Sequence, residues 1–272
     1  SAEMSELTLR PIGAVRSPVR ERKSMPRLGV PAAVEILPDY RDGLLRLEKH
    51  SHVWVLAWLD RAERDVLQVT PRGLPEGGPE ALHGVFAVRS PARPNSIGLS
   101  ATRIVRVDGL RIEVDPLDFL DGTPVIDLKP YFVSRDLIFS ANNAQIGQPA
   151  NREALRESLL RQALNFHGEW CAEVSRAVRI LEHFRSEILQ MAEPERWRVT
   201  VPLGRPCIVD AVMGMTRATP GRGSLVFGGD DCVVFDQQAF SYSYRSCRGA
   251  ETDAARLLAA PEADLFEFLR NP

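Results

Sequence analysis

Short apolar runs, each interrupted by glycine or proline, recur through the first half of the chain. Strands at such spacing, with turn residues between them, are typical of an antiparallel sheet or barrel. The run at residues 51–59 is almost continuously apolar, which predicts a strand buried on both faces. Residues 38–50 repeat leucine with helical spacing and predict a short helix. The strand-like runs are residues 8–15, 32–37, 51–59, 83–90, 98–109, 111–120 and 123–132.

The pattern changes near residue 145. Residues 140–151 are polar with glycine and proline, which predicts a linker, and apolar positions then follow a helical period. The sequence therefore predicts an α+β chain of two domains, an antiparallel β-barrel at 4–140 and an α+β domain at 150–272. In the second domain we expect helices at 152–164, 170–192, 251–258 and 262–270, and strands at 197–202, 207–213, 224–227 and 232–235.

Composition narrows the class of protein. The 272 residues include 34 basic and 36 acidic side chains, for a net charge of -2, which argues against a strongly basic nucleic-acid coat protein. No apolar run reaches the roughly 18 residues of a membrane-spanning helix, and no signal-peptide pattern is present. The four cysteines form neither a CxxC pair nor a disulfide framework, so we expect a reducing, cytoplasmic location.

Basic residues are concentrated near the N-terminus. Arg16, Arg20, Arg22, Lys23 and Arg27 have one acidic residue among them. Such a loop suits contacts with a phosphate or a nucleic-acid backbone. A solvated loop without a partner is the alternative interpretation.

A second concentration of chemistry lies between residues 84 and 131. Arg89 and Arg93 flank Pro91, and a stiff loop holds such guanidinium groups ready for a carboxylate or phosphate. Asp118 and Asp121 lie at a Gly-Thr-Pro turn, where carboxylates accept hydrogen bonds from ribose hydroxyls or amino groups. A structural network of arginine and aspartate between two barrel loops is the alternative. The familiar nucleotide, zinc-protease and serine-hydrolase motifs are absent from the sequence.

Five segments together resemble the TsaA-like family, whose characterised bacterial members are tRNA methyltransferases. The segments are PIGAVRSP at 11–18, MPR at 25–27, LEKHSHVWVL at 47–56, GVFAVRSPARPNSIGLS at 84–100 and LDFLDGTPVIDLKPY at 117–131. The resemblance implies a small β-barrel that binds S-adenosylmethionine, a homodimer, and methyl transfer to N6 of a modified adenosine beside the tRNA anticodon. Two alternatives stay open, a small-molecule methyl acceptor held by the second domain and a non-catalytic S-adenosylmethionine-binding module.

The same resemblance implies a set of site residues. Arg89 and Asp118 stand at matching motif positions and are expected to bind the cofactor. An amide-like N6–H requires a general base, for which Asp121 or Asp118 is the hypothesis, although Asp121 alternatively caps its turn. Arg93 and Asn95 are expected to orient the substrate. The further cofactor-binding predictions are Leu28, Gly29, Val30, Arg61, Ala62, Leu99, Pro116 and Leu117. The tryptophan-containing strand ends in Asp60, where the family usually has histidine.

The second half resembles the FmdE-like family at FHGEWCAEV, residues 166–174, and CIVDAVMGMTRATPGRGSL, residues 207–225. The resemblance implies converging histidine and cysteine side chains, so His167, Cys171 and Cys207 are candidate zinc ligands, with Glu169 as an oxygen ligand. Two soft residues of the family pattern are missing, and a domain without metal, serving substrate binding or dimerisation, is the favoured expectation. The other histidines are expected to be structural or on the surface, with His52 in the core.

Overall fold

Two separate hydrophobic cores organise the chain. The computed structural model describes residues 4–74, 78–249 and 251–271. The chain divides into a first unit, residues 1–141, and a second unit, residues 142–272, and each contains one of the two cores. No helix among the described residues is both long enough and apolar enough to cross a membrane.

The first unit is built around a closed six-stranded barrel, which confirms the predicted antiparallel β-barrel. Its strands follow the order β1-β2-β7-β6-β3-β8, and every paired neighbour is antiparallel. A small separate hairpin pairs β4 with β5. The elements are β1 Gly13–Arg16, β2 Val30–Ile36, β3 His52–Trp58, β4 Gln68–Val69, β5 His83–Gly84, β6 Ile97–Asp108, β7 Arg111–Leu117, β8 Pro124–Pro130 and helix α1 Val133–Asp136.

Strand β3 shows how the pleat fills the barrel. Val53, Val55 and Ala57 are buried in its core, whereas the alternate side chains are less buried. The expectation of burial on both faces was wrong, because successive side chains of a barrel strand alternate between interior and exterior. The prediction that His52 lies in the core was also wrong. His52 is exposed on the exterior of the barrel, and its Nδ1 lies 2.8 Å from the Ser51 hydroxyl.

Two loops of the first unit differ from their predictions. Residues 38–50 form two short 3-10 segments, Pro38–Leu44 and Leu47–Lys49, separated by Arg46 in a left-handed conformation. Only His83 and Gly84 of the run at 83–90 are in a strand. The remainder turns, because its carbonyl groups accept hydrogen bonds from an arginine side chain rather than from a neighbouring strand.

The second unit contains helices and a five-stranded sheet of order β10-β9-β11-β12-β13, which confirms the predicted α+β class. Strands β9 and β10 are parallel, and the other neighbours are antiparallel. Helix α3 continues as a π-helical turn at Phe184–Ile188. The elements are α2 Arg152–His167, α3 Ala172–His183, β9 Arg198–Pro202, α4 Pro206–Thr216, β10 Leu225–Gly228, β11 Cys232–Gln237, β12 Phe240–Ser246, α5 Ala254–Ala259, α6 Glu262–Leu265 and β13 Phe266–Asn271.

One predicted element of the second unit has the opposite type, and another is correct only in its first half. Residues 207–213 lie in helix α4 rather than in a strand, because Pro206 begins the helix and buried residues Ile208, Ala211 and Val212 recur with helical spacing. Residues 262–270 are helical only as far as Leu265. Strand β13 then pairs with β12, and its alternating phenylalanines pack around His183.

A buried carboxylate holds together the helices of the second unit. Glu182 is completely buried in α3. Its oxygens accept hydrogen bonds from Arg156 at 2.7 and 3.0 Å and from Arg152 at 3.1 Å, and the Arg179 Nε lies 3.2 Å away. Because desolvating a carboxylate is costly unless it is paired, this cluster makes the helix packing specific and sensitive to substitution.

Candidate functional site

A cleft of about 1530 Å³ opens at the barrel of the first unit. Strands β3 and β6 provide one wall, and the loops at 20–27, 59–62, 89–93 and 118–123 surround it. Four of the five motif segments therefore contribute residues to one cavity. The register explains part of this convergence, because Leu56 of β3 lies opposite Leu99 of β6.

The loop after the Met-Pro-Arg motif packs against the end of β7. Val30 lies opposite Leu117 in the ladder. Gly29 has a φ of +79°, and a Cβ at this position would lie 2.7 Å from the Leu117 carbonyl oxygen. Only glycine fits such a left-handed position so close to a neighbouring backbone. Residues 28–30 and 116–118, both predicted to contact the cofactor, are therefore adjacent at the rim of the barrel.

The predicted site residues divide into two groups. Those that line the cleft are Arg61, Ala62, Arg89, Arg93, Leu99 and Asp118. Those that lie outside its lining are Leu28, Gly29, Val30, Asn95, Pro116, Leu117 and Asp121. Leu117 is buried in the barrel core, and Pro116 follows a cis peptide bond. Of this second group, Gly29, Val30 and Leu117 pack in or against the barrel wall.

Arg89 and Asp118 are predicted cofactor-binding residues whose charged groups have no hydrogen-bond or ion-pair partner among the described residues, and we call such groups unengaged. Both are exposed in the cleft, and neither side chain forms a hydrogen bond or ion pair with another described residue. Arg61 differs, because its Nη1 donates to the Arg20 carbonyl oxygen at 3.0 Å and ties two rim loops together. An unengaged guanidinium and an unengaged carboxylate in one cavity suit a ligand carrying both an anionic group and hydroxyl donors.

Arg93 fastens the loop that carries Arg89. Its Nη2 donates to the Val88 carbonyl oxygen at 2.6 Å and to the Val85 carbonyl oxygen. Its backbone N–H donates to the Glu63 carbonyl oxygen at 3.1 Å. The Nε atom is buried without a hydrogen-bond partner among the described residues. The geometry thus gives Arg93 a loop-holding function, and substrate orientation by Arg93 stays a prediction.

The carboxylate of Asp121, like the guanidinium of Arg93, is held by contacts within the protein. Its carboxylate accepts a hydrogen bond from the Ser17 backbone N–H at 3.0 Å, and the Arg20 Nε lies 3.8 Å away. Its backbone N–H donates to the Val19 carbonyl oxygen at 2.8 Å. These contacts attach the Gly-Thr-Pro turn to the loop that begins the basic segment. They match the turn-capping alternative, and general-base catalysis by Asp121 stays a prediction.

The cleft is strongly positive although the chain is not. Eight cationic side chains and three acidic ones line it, within a chain of net charge -2. The N-terminal basic run accounts for half of the cations, but Arg16 lies elsewhere, paired with Glu35 at 2.8 Å. Asp60 and Arg72 also line the cavity. Asp60 stands where the family usually has histidine, but neither residue was predicted as part of the site. The cations are Arg20, Arg22, Lys23, Arg27, Arg61, Arg72, Arg89 and Arg93, and the acids are Glu21, Asp60 and Asp118.

The second unit contains a cluster of His167, Cys171 and Cys207, whose potential ligand atoms all lie within 4.8 Å of one another. His167 ends α2, Cys171 caps the start of α3, and Cys207 lies in the first turn of α4. The His167 Nδ1 lies 2.9 Å from the Asp210 carboxylate, which directs Nε2 toward the Cys171 sulfur at 3.9 Å. Glu169 is exposed and is not part of the cluster.

The surroundings of Cys207 disfavour its thiolate form. Burial raises the pKa of the Cys207 thiol, and the neighbouring Cys171 raises it further. A cation at this position would oppose both effects, because metal binding requires thiolate ligands and releases their protons. Cys207 also borders a separate cavity of about 490 Å³ within the second unit.

Comparisons with known proteins match both halves of the chain. Residues 14–137 match the family model for the tRNA-methyltransferase O N-terminal domain. Residues 166–266 match the model named FmdE, for the molybdenum formylmethanofuran dehydrogenase operon. The first match covers the barrel and the cleft, and the second covers the His–Cys cluster.

Several curated proteins are similar to the chain. A probable S-adenosyl-L-methionine-binding protein of Archaeoglobus fulgidus is 38% identical over 234 residues, or 82% of this chain and 62% of that protein. A protein of the same description from Methanothermobacter thermautotrophicus is 43% identical over 135 residues, or 48% of this chain and 94% of that protein. The tRNA (adenine(37)-N6)-methyltransferase of Escherichia coli is 34% identical over 139 residues, or 47% of this chain and 59% of that protein.

The chain thus spans about 62% of the length of its Archaeoglobus relative. A crystal structure of TrmO from Pseudomonas aeruginosa aligns over 93% of this chain and 96% of its own, with 22% identity and a TM-score of 0.45. Similarity at that level is too low to support a functional comparison. Family membership rests on the Methanothermobacter protein, because this chain is 43% identical to it over 94% of that protein's length. The chain belongs to the TsaA-like, TrmO-type family, with an FmdE-type domain following in the same chain.

Proposed function

We propose that the protein is an S-adenosylmethionine-dependent methyltransferase whose donor binds in the cleft of the first unit. The observation that carries this proposal is the convergence of Arg89, Leu99 and Asp118, from two separate motif segments, on one cavity. The unengaged guanidinium of Arg89 suits the donor's carboxylate, and the Asp118 carboxylate suits its ribose hydroxyls. Leu99 offers an apolar wall for the adenine ring.

The residues of the cleft would catalyse the transfer mainly by positioning. The donor supplies an activated methyl group, so the protein must align that methyl with the acceptor and exclude competing water. The cavity of about 1530 Å³ exceeds the roughly 300–1,000 Å³ of an ordinary small-molecule pocket. It therefore offers space for part of an acceptor beside the donor. Arg93 would keep Arg89 in place by fastening its loop.

For the acceptor we propose tRNA, methylated at N6 of a modified adenosine beside the anticodon. The excess of cations lining the cleft supports a polyanionic acceptor, because lysine and arginine side chains contribute to RNA binding by displacing counterions from phosphates. The Escherichia coli relative is named for this type of reaction. We also propose a homodimer in the cytoplasm, in which a second copy would double the basic surface.

The test is transfer of a labelled methyl group from S-adenosylmethionine, with bulk tRNA and a small-metabolite extract as separate acceptors. We expect label in tRNA, and loss of donor binding in Arg89→Ala and Asp118→Ala measured by calorimetry. Label confined to the metabolite extract would favour a small-molecule acceptor. Tight donor binding without transfer to either pool would favour a non-catalytic binding module. Sedimentation of the same sample tests the proposed dimer.

A second proposal concerns zinc in the FmdE-type unit. The supporting observation is the approach of one imidazole and two thiols to within 4.8 Å, together with Asp210 on the second nitrogen of His167. Such a carboxylate commonly orients a metal-binding histidine. His167, Cys171 and Cys207 would hold the ion, which supplies a Lewis acid when bound. Three protein ligands leave a fourth position for water or substrate.

Metal analysis of the purified protein tests this second proposal. We expect one zinc ion per chain, lost in Cys171→Ser and Cys207→Ser but retained in the control Cys247→Ser. Cys247 is a suitable control because its thiol lies 3.5 Å from the Ala263 carbonyl oxygen, outside the cluster. Wild-type protein that binds no zinc, or equal zinc content in all variants, would contradict the site.

A further inference from the structure

We infer that Asp60 is the catalytic base of the first unit, accepting the proton of the acceptor nitrogen during methyl transfer. This inference rests on the proposed methyltransferase function and adds a residue to it. Asp60 follows β3 and lines the cleft. Its carboxylate is exposed there, and it forms no hydrogen bond or ion pair with another described residue.

The backbone holds Asp60 at the edge of the cavity. Its N–H donates to the Trp58 carbonyl oxygen at 3.0 Å. The preceding Leu59 donates to the Ser96 carbonyl oxygen at 2.8 Å, and the Ala62 N–H donates back to the Leu59 carbonyl oxygen at 3.1 Å. Asp60 therefore begins a turn attached to two walls of the cleft, and a fixed backbone is what a positioned proton acceptor requires.

The composition of the cleft leaves few candidates for a base. Its described lining includes no histidine, cysteine or tyrosine. The carboxylates in the lining are Glu21, Asp60 and Asp118. Glu21 lies 3.4 Å from the Lys23 ammonium, and Asp121 is outside the lining with its oxygens directed toward Ser17 and Arg20.

Asp60 and Asp118 are thus the unengaged carboxylates, and they belong to different walls. Asp118 follows β7, beside the backbone of Gly29, where the donor is proposed to bind. Asp60 follows β3, a strand that is not adjacent to β7 in the barrel. This division leaves one carboxylate for the donor and one for the acceptor.

The chemistry balances with one carboxylate. The donor's S–CH₃ bond breaks as the N–CH₃ bond forms, and its sulfonium becomes a neutral thioether. The N–H bond of the acceptor breaks, and its proton moves to an Asp60 oxygen, which becomes a neutral carboxylic acid. The positive charge of the sulfonium and the negative charge of the carboxylate disappear together. Because Asp60 is exposed, it can return the proton to water after product release.

The test compares Asp60→Asn and Asp60→Glu with the matched control Asp65→Asn, an exposed aspartate outside the cleft lining. Single-turnover transfer to tRNA is measured across pH, with donor and tRNA affinities measured separately. We expect Asp60→Asn to lower the rate about 10²- to 10⁴-fold, to keep both affinities, and to lose the acidic limb of the pH profile. Asp60→Glu should recover part of the rate and restore that limb.

Two results would overturn the assignment of Asp60 while leaving the proposed function intact. A rate for Asp60→Asn equal to that of Asp65→Asn would show that no proton transfer depends on Asp60. Loss of donor affinity in Asp60→Asn, with an unchanged pH profile, would show that Asp60 holds the donor instead. Wild-type protein that transfers no methyl to tRNA would overturn the proposed function and this inference with it, so the wild-type measurement separates the two failures.

Discussion

Substituting two arginines of the basic cleft should weaken RNA binding by a calculable amount. Arg22 and Arg27 line the cavity and are exposed, and their side chains form no hydrogen bond or ion pair with other described residues. Lys23, by comparison, lies 3.4 Å from the Glu21 carboxylate and is partly neutralised. The double variant Arg22→Ala/Arg27→Ala therefore removes two charges that are available to phosphates without breaking contacts that hold the fold.

The magnitude follows from counterion release. Each phosphate contact contributes about 0.7 to 0.9 to the slope of log affinity against log salt concentration. At about 0.1 M salt this corresponds to roughly a five- to eightfold contribution per contact, so the double variant should lose about 25- to 60-fold in affinity. Its salt slope should be shallower by about 1.4 to 1.8.

Fluorescence anisotropy with a labelled tRNA across a range of salt concentrations measures both quantities. The control is Arg10→Ala/Arg41→Ala, which removes two exposed arginines of the same unit outside the cleft lining. We expect the control to keep the wild-type slope. If the cleft variant and the control lose the same affinity, or if the slope of the cleft variant is unchanged, the phosphates do not bind at this cleft.

Three further predictions concern stability and the support of the site. Glu182→Gln should lower the free energy of unfolding by about 3–5 kcal/mol in urea titrations, because it leaves the surrounding arginines without a buried counter-charge, whereas the exposed Glu187→Gln should change it by less than about 1 kcal/mol. Gly29→Ala should weaken donor binding in calorimetry, because its Cβ would lie 2.7 Å from the Leu117 carbonyl oxygen at a positive φ. Unchanged donor affinity would show that the close packing of Gly29 against β7 does not support the donor site. Burial lowers the pKa of His183, so the folded state binds its proton less readily than the unfolded state, and stability should fall as pH drops from about 7 to about 5. His183→Gln should reduce that pH dependence, and an identical dependence in both proteins would refute the assignment.

The barrel was predictable because its apolar runs are short and are separated by glycine and proline. The same reasoning failed at residues 207–213, where a short apolar run containing valine and isoleucine fits either a strand or a buried helix. It failed again at 266–271, where pairing with β12 decides the structure. Both errors arise because tertiary pairing overrides local preference in short segments.

The candidate site was only partly predictable, for a related reason. Arg89 and Asp118 belong to recognisable motifs, and the structure brings both to the cleft. Asp60 replaces the family's usual histidine and Arg72 lies outside the motif segments, so the motifs did not assign either residue to the site, although both line the cleft. The net charge of the chain did not predict the charge of the cleft. Basic residues from separate segments line one cavity, while most acidic residues lie elsewhere.

The most direct test of methyl transfer to tRNA is mass spectrometry of nucleosides from tRNA incubated with the protein and methyl-labelled S-adenosylmethionine. The account predicts one labelled nucleoside, a modified adenosine carrying the methyl at N6, and its loss with Asp118→Ala. It also predicts that the exposed control Asp65→Asn yields the same nucleoside as the wild type. A tRNA pool without label, from protein that binds the donor tightly, would contradict the central claim.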